Sequence, residues 1–493
     1  MNVFKKEEEK SMNVFKKVIS LLLVAVMLSG IVMLTGCGKD SPKGDDVTIT
    51  WLVPCDKQKD VESVLKEANK IIEAELGVTL DMQFIDTASY TQRMNMNMAS
   101  GNDYDICFTS SWLNSYDSAV RRGGILQLDE LLETTPALKE SIPDYVWDGV
   151  MRDGGIYAVP NMQIMATTRC QYVLKRLADK YELDVENANH PEKLEEFLAK
   201  VKAGEPNIYP YRANYGAYPW VTGVYECFDG VAGIRYDDET ITPVCFWETD
   251  EYKSGIKTLN EWFKKGYIRS DYLSKGDDTA DLNAGKYAVW EASYKPGAEA
   301  EYASLIGEEV IALPPYEQTT ISGSSLTSAM LAIGKNSKNP EKAIKVIELL
   351  NTNKELYRLI AFGIEGKHYT LSDEGKLSYI ENSGYTVKDS WKFGNTFNGY
   401  PLEGQESTIF EDTIAFNDSA TPSRFLGFTL DTSNLESEIS QIATVQDEFS
   451  PIGYSGDLDA YYKDFIKKLR EAGSQVMVDE IGKQIKEFVK NNK

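Results

Sequence analysis

Hydrophobic and polar residues follow two alternating periods along the chain after residue 46. Every second residue is apolar in 47–53, as in a strand, and apolar residues recur at helical spacing in 61–76. Gly77 is positioned to end that helix, and residues 78–84 alternate again. Strand, helix and strand in this order predict a parallel α/β unit.

The same two periods continue through the rest of the chain. They predict short strands at 104–108 and 154–161 and helices over 190–202, over 339–350 and, on either side of Gly473, in the tail after residue 457. Residues 206–219 are rich in Tyr, Pro and Gly and have neither period. The alternation of strands and helices predicts a fold of the α/β class. The sequence contains no internal repeat, no P-loop and no G-x-G-x-x-G motif.

The longest apolar run, residues 18–34, stands near the amino terminus behind Lys16 and Lys17. Seventeen residues that include two serines and a glycine are at the short limit for a membrane span, which is the alternative interpretation. The hexapeptide MNVFKK occurs twice with the acidic EEEKS between the copies. Since a signal peptide begins with a basic region, we expect either that Met12 is the natural start or that both starts are possible.

The apolar run ends in LTGC, with the thiol of Cys37 between two glycines. LTGC resembles the lipobox of bacterial lipoproteins, in which a peptidase cuts before the cysteine and the thiol carries a diacylglyceryl group. The resemblance implies a signal peptide over residues 1–36, lipid attachment at Cys37 and a flexible polar tether over 37–46. We therefore expect a protein on the extracytoplasmic face of the bacterial cell membrane.

The amino-acid composition disfavours several classes of function. The 493 residues include 76 acidic and 52 basic side chains, a net charge of −24 that disfavours nucleic-acid binding. Six cysteines without a CxxC pair and two histidines give little support to a metal site or a Cys–His nucleophile. Cys227 and Cys245 could bridge a local hairpin or remain small buried thiols.

Several blocks of the chain, taken in order, resemble one family. The blocks DYDICFTSSW, GGILQLDELLE, GGIYAVPNMQ, LNAGKYAVWEASYKPG and NPEKAIKVIELL resemble the family 1 extracellular solute-binding proteins of ABC importers. The resemblance covers nearly the whole chain after Cys37. GIEGKHY, WKFGNTF and the tail after RFLGFTLD resemble a subgroup with an extra C-terminal domain of unassigned role.

The family resemblance implies a two-lobed, periplasmic-binding-protein-like α/β fold (Venus flytrap) with a multi-segment hinge. We expect lobe I to comprise 47–160 and 310–365, lobe II to comprise 161–309 and 366–425, and a helical subdomain to follow over 426–493, packed on the lobes. Ligand would bind between the lobes, and membrane permease subunits would accept it from the closed form. Such a protein needs no cofactor or metal and catalyses nothing.

The residues themselves suggest a carbohydrate ligand. Flat aromatic rings suit the C–H face of a sugar and polar side chains suit its hydroxyl rim, and the chain has 8 Trp and 28 Tyr. Trp112 follows a predicted strand end, where open α/β sheets bind ligands. Aromatic and polar residues in or after predicted strands, in the hinge or in unperiodic loops are the candidates: Ser110, Ser111, Trp112, Asn161, Gln163, Arg212, Trp220, Trp290, Tyr294, Glu365, His368, Trp391 and Asn395.

Each candidate has a structural alternative. A tryptophan is usually a core residue, and a structural role in a hinge turn is favoured for Glu365 and His368. Arg169 and Arg212 are candidates for recognising an acidic sugar. The sequence thus predicts a lipid-anchored protein that captures an oligosaccharide for an ABC importer. The alternatives are a secreted glycoside hydrolase with two facing carboxylates, or a binding protein for peptide or another non-sugar solute.

Overall fold

The computed structural model describes residues 47–101, 104–213, 224–272, 278–450 and 456–491. The predictions for the signal peptide, Cys37, the tether and Trp220 lie outside these residues. The described residues lie in one compact unit, Val47–Lys493. Among the described residues, no helix combines the length and apolar character needed to cross a membrane.

The elements up to residue 160 are β1 (Thr48–Pro54), α1 (Val61–Leu76), β2 (Thr79–Ile85), α2 (Thr87–Ser100), β3 (Ile106–Thr109), α3 (Tyr116–Arg121), α4 (Asp129–Leu132), α5 (Pro136–Glu140), α6 (Asp144–Val150) and β4 (Ala158–Pro160). The next group is β5 (Arg169–Leu174), α7 (Lys175–Lys180), α8 (Pro191–Gly204), β6 (Tyr209–Arg212), β7 (Tyr225–Phe228), β8 (Ala232–Arg235), β9 (Val244–Cys245), α9 (Asp250–Lys264), α10 (Thr279–Asn283), β10 (Tyr287–Ser293), α11 (Ala298–Ile306) and β11 (Val310–Ala312). The last group is β12 (Thr320–Ile321), α12 (Gly323–Leu326), β13 (Met330–Ile333), α13 (Pro340–Thr352), α14 (Lys354–Phe362), β14 (Tyr369–Leu371), β15 (Leu377–Tyr379), α15 (Ile409–Ser419), β16 (Thr421–Pro422), α16 (Glu436–Glu448), α17 (Leu458–Glu471) and α18 (Ser474–Asn491).

The predicted strand–helix–strand unit at the start is confirmed. Gly77 ends α1 in the left-handed conformation, with φ of 66°, and its N–H donates to the carbonyl of Glu73. The side chain of Asn69 then exchanges hydrogen bonds with the backbone of Leu80, at 2.7 and 3.1 Å. These bonds fix the turn that brings β2 back parallel to β1.

The first sheet has the strand order β2-β1-β3-β13-β4. Its first three strands are parallel, and β13 runs antiparallel between β3 and β4. Thr109 and Pro160 both lie opposite Met330. The carboxyl ends of β3 and β4 therefore meet the start of β13 at one edge, which we call the binding edge.

The second sheet has the order β11-β5-β10-β6 and a separate hydrophobic core. Strand β5 is antiparallel to β10 and β11, and β6 is parallel to β10. The start of β5 and the ends of β6, β10 and β11 therefore lie at the same edge of this sheet. Two sheets with separate cores confirm the two-lobed architecture expected from the sequence.

Three described segments connect the first core with the rest of the fold, at residues 161–168, 313–329 and 416–423. The first and second exchange backbone hydrogen bonds between Thr167 and Thr320, at 2.8 and 3.0 Å. The second and third pair in parallel as β12 and β16. These three segments form the multi-segment hinge that the resemblance implied.

A third hydrophobic core joins the C-terminal helices to the sheet β7-β8-β9 and to one face of α9. The opposite face of α9, with Leu259 and Trp262, belongs to the second core. We call residues 424–491 the C-terminal subdomain. Because α9 contributes to both cores, the C-terminal subdomain is packed on the second lobe.

The packing differs from the lobe boundaries expected from the sequence. Residues 366–425 are expected in lobe II, yet Tyr369, Tyr385 and Phe393 are buried in the first core. The reason is local packing: the Tyr385 hydroxyl donates to the carbonyl of Ile360 on α14, and Phe393 packs edge-on against Trp51 of β1, with ring centroids 5.6 Å apart.

Cys227 and Cys245 are both free thiols. On β8, Gly233 lies opposite Cys227 and the adjacent Ala232 lies opposite Cys245. Neighbouring strand positions face opposite sides of a sheet, so the two thiols point away from each other. This register excludes the disulfide that the spacing left open.

Candidate functional site

Four segments bring side chains together at the binding edge. Trp112 comes from the turn after β3, Gln163 from the first hinge segment after β4, and Ser328 from the second hinge segment before β13. Trp391 comes from the 3₁₀ turn Ser390–Lys392. Their convergence follows from the topology, because three of the segments enter or leave adjacent strands at this edge.

Two tryptophans form an aromatic shelf at this edge. Trp112 is 55% exposed, an unusual fraction for so large an apolar side chain. Its ring centroid lies 6.0 Å from that of the half-buried Trp391. Phe108 packs edge-on against both rings from the buried end of β3, with centroids at 6.3 and 6.1 Å. The shelf is thus supported by the core and offers apolar ring surface to solvent.

Hydrogen bonds fix the orientation of the shelf. The Nε1 of Trp112 donates to the carbonyl of Ser328 at 2.8 Å, and Nε2 of Gln163 donates to the Ser328 hydroxyl at 3.2 Å. The Ser111 hydroxyl donates to the carbonyl of Ser324 at 3.1 Å. Polar side chains of both hinge segments therefore lie beside the exposed ring.

The turn that carries Trp391 is tied to the first lobe from two sides. Asn161 is 1% exposed, and its Nδ2 donates to the carbonyl of Trp391 at 2.9 Å. Its Oδ1 has no hydrogen-bond partner among the described residues. The buried Nζ of Lys392 donates to the carbonyl of Pro54 at 2.8 Å and pairs with Asp389 at 2.9 Å. Asn161 thus supports the shelf rather than facing solvent.

Asn395 and Ser110 also shape loops at this edge. The Asn395 side chain accepts a hydrogen bond from the N–H of Phe397 at 3.0 Å and caps a short 3₁₀ turn. Ser110 has no exposed area, and its hydroxyl closes the turn by donating to the carbonyl of Leu113 at 2.9 Å. From this position Ser110 cannot touch a ligand, contrary to the expectation from sequence.

Trp290 is a core residue, and the prediction that it contacts ligand does not fit its position. It has no exposed area and stacks on Tyr172, with centroids 6.0 Å apart and ring planes 15° apart. Strand β10 lies in the middle of the second sheet, so residues on both of its faces are buried.

Tyr294 follows β10 and is half-buried, with its ring edge-on to Phe416 at 5.5 Å. It lines a surface cavity of about 360 Å³ together with Glu186, Glu299 and the Pro314–Pro315 pair. Among the described residues, the ring of Tyr294 packs against Phe416 and the rings of the shelf pack against Phe108 and each other. The structure therefore does not bring these two predicted ligand residues together.

Both arginines proposed for acidic sugars have carboxylate partners. Arg212 pairs with Asp278, with its Nη2 atom 2.6 Å from Oδ1 of the carboxylate. The Nε of Arg169 donates to Glu291 at 2.9 Å, and Glu291 is 4% exposed. Their charges are already compensated within the second lobe.

His368 and Glu365 lie apart from the shelf. His368 has no exposed area, and its Nδ1 accepts from the N–H of Ile364, so Nε2 carries the proton that it donates to Asp60 at 2.8 Å. Hydrogen bonds from Lys367 and then from His368 hold the pKa of Asp60 well below its usual range. Glu365 is exposed in the same turn. The structural role favoured from the sequence fits His368.

One carboxyl group in the hinge has a strongly altered acidity. Burial raises the pKa of Glu317, in the second hinge segment, to about 7, and the charge of Arg169 opposes this rise. The carbonyl of Glu317 accepts from the hydroxyl of Thr168 at 2.9 Å, so the residue joins two hinge segments. Over the described ranges, no group of three or more His, Cys, Asp or Glu side chains could hold a metal ion.

Sequence reasoning missed Phe108, Ser328 and Lys392. Phe108 lies inside a buried strand, and nothing in its spacing marks it as support for the rings of Trp112 and Trp391. Ser328 belongs to the serine- and threonine-rich stretch 322–328 directly before the apolar run of β13. A polar loop that enters a buried strand is the signal that could have pointed to it.

Two family models match the chain. The model of the bacterial extracellular solute-binding proteins matches residues 59–356. The chain belongs to this family. A second model, for a domain of unknown function, matches residues 424–490. Both matches confirm the resemblance found in the sequence, including the extra C-terminal domain.

Relatives of this solute-binding protein extend over nearly its whole length. A carbohydrate ABC transporter substrate-binding protein of Streptococcus pneumoniae is 29% identical over 488 residues, covering 96% of this chain and 98% of the relative. The crystal structure of the N-glycan transport solute binding protein NgtS from S. pneumoniae is 27% identical, with a TM-score of 0.80, covering 91% of this chain and 100% of that one. NgtS in complex with Man1GlcNAc is 26% identical, with a TM-score of 0.68, covering 90% of this chain and 100% of that one.

Proposed function

We propose that this solute-binding protein captures an oligosaccharide at the Trp112–Trp391 shelf and passes it to the permease of an ABC importer, without catalysing a reaction. The observation that carries the proposal is the core-supported aromatic pair of the exposed Trp112 and the half-buried Trp391, at the point where the hinge leaves the first sheet. Apolar ring faces flanked by the polar groups of Ser111, Gln163 and Ser328 match the two-sided chemistry of a sugar.

The exposure of the shelf supports a ligand that is bound by closure. The ring of Trp112 is 55% exposed in the present arrangement, so the shelf is open to solvent. Ligand would draw the second lobe onto the shelf. NgtS, which has a similar fold, has been solved in complex with Man1GlcNAc.

Titration calorimetry tests the proposal. The purified chain from Val47 is titrated with mannose- and N-acetylglucosamine-containing oligosaccharides, other neutral and acidic oligosaccharides, and a set of short peptides. We expect binding to at least one neutral oligosaccharide. Binding of peptides alone would overturn the carbohydrate assignment, and release of shorter sugars during a long incubation would indicate a glycoside hydrolase instead.

We also propose that lipid on Cys37 anchors the protein outside the cell membrane, with the permease as its membrane partner. The support is the LTGC sequence behind the apolar run. The variant Cys37→Ala is expected to leave the membrane fraction or to keep its signal peptide, with unchanged affinity for oligosaccharide. Wild-type protein that carries no lipid and retains residues 12–36 would contradict the anchor.

A further inference from the structure

The third hinge segment continues without a break into the C-terminal subdomain. Strand β16, Thr421–Pro422, pairs with β12 of the second hinge segment. Ser423 is the only residue between this strand and the start of the subdomain at Arg424. We call residues 417–425 the strap, because its two ends are fixed to different parts of the molecule.

The amino-terminal end of the strap is fixed to the first hinge segment by one buried side chain. Oδ1 of Asn417 accepts hydrogen bonds from the N–H groups of Met165 and Ala166, at 2.8 and 2.9 Å. Its Nδ2 donates to the carbonyl of Gln163 at 2.8 Å. Asn417 is 5% exposed, so these bonds are shielded from water and costly to break.

The carboxyl-terminal end of the strap is fixed to the sheet β7-β8-β9. Arg424 donates from its guanidinium group to the carbonyls of Asp238 and Arg235, at 2.7 and 3.0 Å. The hydroxyl of Ser423 donates to Oε1 of Glu226 at 2.5 Å. Phe425 is buried edge-on to Phe228, at 5.4 Å. Since this sheet shares α9 with the second core, the strap end moves with the second lobe.

The C-terminal subdomain also touches the first lobe, but lightly. The Thr429 hydroxyl lies 3.4 Å from Oδ1 of Asp117, which is already paired with Arg152. Gly427 lies beside the carbonyl of Asp148, where a Cβ atom would come within 3.4 Å. These contacts exist in the open arrangement, and a contact made in one arrangement alone favours that arrangement.

We propose that the C-terminal subdomain regulates the opening of the cleft by fixing the strap at both ends. One end is hydrogen-bonded to the first hinge segment, and the other is hydrogen-bonded to the sheet that is packed on the second lobe. The inference rests on the proposed function, because closure matters only if a ligand is bound between the lobes. The subdomain moves with the second lobe, and the strap and the Thr429 contact together oppose closure. This gives residues 424–491 a role distinct from ligand contact.

Hydrogen exchange tests the strap without any ligand. Arg424→Ala removes the two carbonyl contacts, and Arg470→Ala is the matched control, because Arg470 is an exposed arginine of the same subdomain that pairs with Glu248 far along the chain from the hinge. We expect the amides of Thr320, Thr421 and Ser423 to exchange about tenfold faster in Arg424→Ala and at the wild-type rate in the control. Amides of Val289 and Leu331, in the centres of the two sheets, report whether global stability has changed.

Calorimetry with an oligosaccharide that binds the wild type gives the second readout. If the strap opposes closure, Arg424→Ala binds about threefold or more tightly, because more of the free protein occupies the closed arrangement. Arg470→Ala binds as the wild type does. Wild-type exchange in Arg424→Ala, or weaker binding together with faster exchange, overturns the proposal. If no oligosaccharide binds the wild type, the proposed function fails while the exchange experiment still decides whether the strap exists.

Discussion

The two lobes use the same side chain in opposite ways. In the first lobe Trp112 is 55% exposed and lies over Trp391 at the end of a strand, whereas in the second lobe Trp290 has no exposed area and stacks on Tyr172 inside a strand. The second lobe also encloses charge, because its buried Glu291 pairs with Arg169, and both charges act on Glu317 of the second hinge segment. The comparison supports the proposal of a ligand surface on the first lobe, whereas the buried aromatic pair of the second lobe stabilises that lobe.

The largest effect is expected when the buried tryptophan is removed. Trp290→Ala leaves a cavity under Tyr172 and should lower the free energy of unfolding by about 3–5 kcal/mol. Urea denaturation followed by circular dichroism measures this change. A variant that keeps wild-type stability but loses oligosaccharide affinity would place Trp290 in the binding site and break the comparison.

Trp112→Ala is expected to lower the affinity for oligosaccharide while leaving the stability nearly unchanged. Loss of an exposed ring should change the unfolding free energy by less than about 1 kcal/mol. The affinity for oligosaccharide should fall about thirtyfold, as for a central aromatic contact. Calorimetry measures the affinity, and Leu305→Ala is the control because Leu305 is 58% exposed and lies outside the shelf. Equal affinities of the two variants would contradict the shelf.

The variant Glu317→Gln tests how the enclosed charges affect stability. The folded pKa of about 7 lies above the ordinary value of 4.5, so the folded protein binds this proton more tightly than the unfolded chain does. The contribution of Glu317 to stability is therefore most favourable below about pH 4.5 and declines as the pH rises through 7. Glu317→Gln should remove this decline and stabilise the protein by about 2 kcal/mol at pH 8, with little effect at pH 4.

Unfolding free energies between pH 4 and 8 test the expectation for Glu317. Glu62→Gln, at an exposed helix position, serves as the control and should leave the pH profile unchanged. A Glu317→Gln profile that is parallel to the wild type at every pH would show that this carboxyl group is not the source of the slope.

The smallest effect is expected for Asn395→Ala. The lost cap of the turn after Trp391 should cost about 1 kcal/mol of stability. Because the backbone carbonyl of Trp391 keeps its hydrogen bond from Asn161, we expect less than a threefold change in oligosaccharide affinity. A loss as large as that of Trp112→Ala, measured in the same titration, would make Asn395 a direct ligand contact.

Local patterns in the sequence predicted most elements correctly. The periods of 47–84, the helix that begins at Pro340 and the two tail helices all form, because each is decided by neighbouring residues. The lobe assignment of 366–425 could not be predicted, since it depends on Tyr385 reaching a carbonyl of α14 in three dimensions. The spacing of apolar residues indicates which face of a helix or strand is buried, but it does not indicate which hydrophobic core that face joins.

The candidate site was predictable only in part. Trp112 follows a strand end, and topology then decides that Trp391, from a turn far along the chain, lies beside it. Trp290 was also a candidate, because an apolar strand covered on both faces gives no alternation to separate core from surface. Asn417 carried no sequence signal at all, although its side chain fixes two backbone amides of the hinge.

The position of β13 has a consequence for how the protein is made. This strand fills the gap between β3 and β4, although Met330 is separated from its partners Thr109 and Pro160 by more than 160 residues of chain. Contacts of such long sequence separation form slowly. During synthesis the first sheet therefore stays incomplete until most of the chain has left the ribosome. Because the family is extracellular, a first sheet that is completed late is compatible with crossing of the membrane before folding.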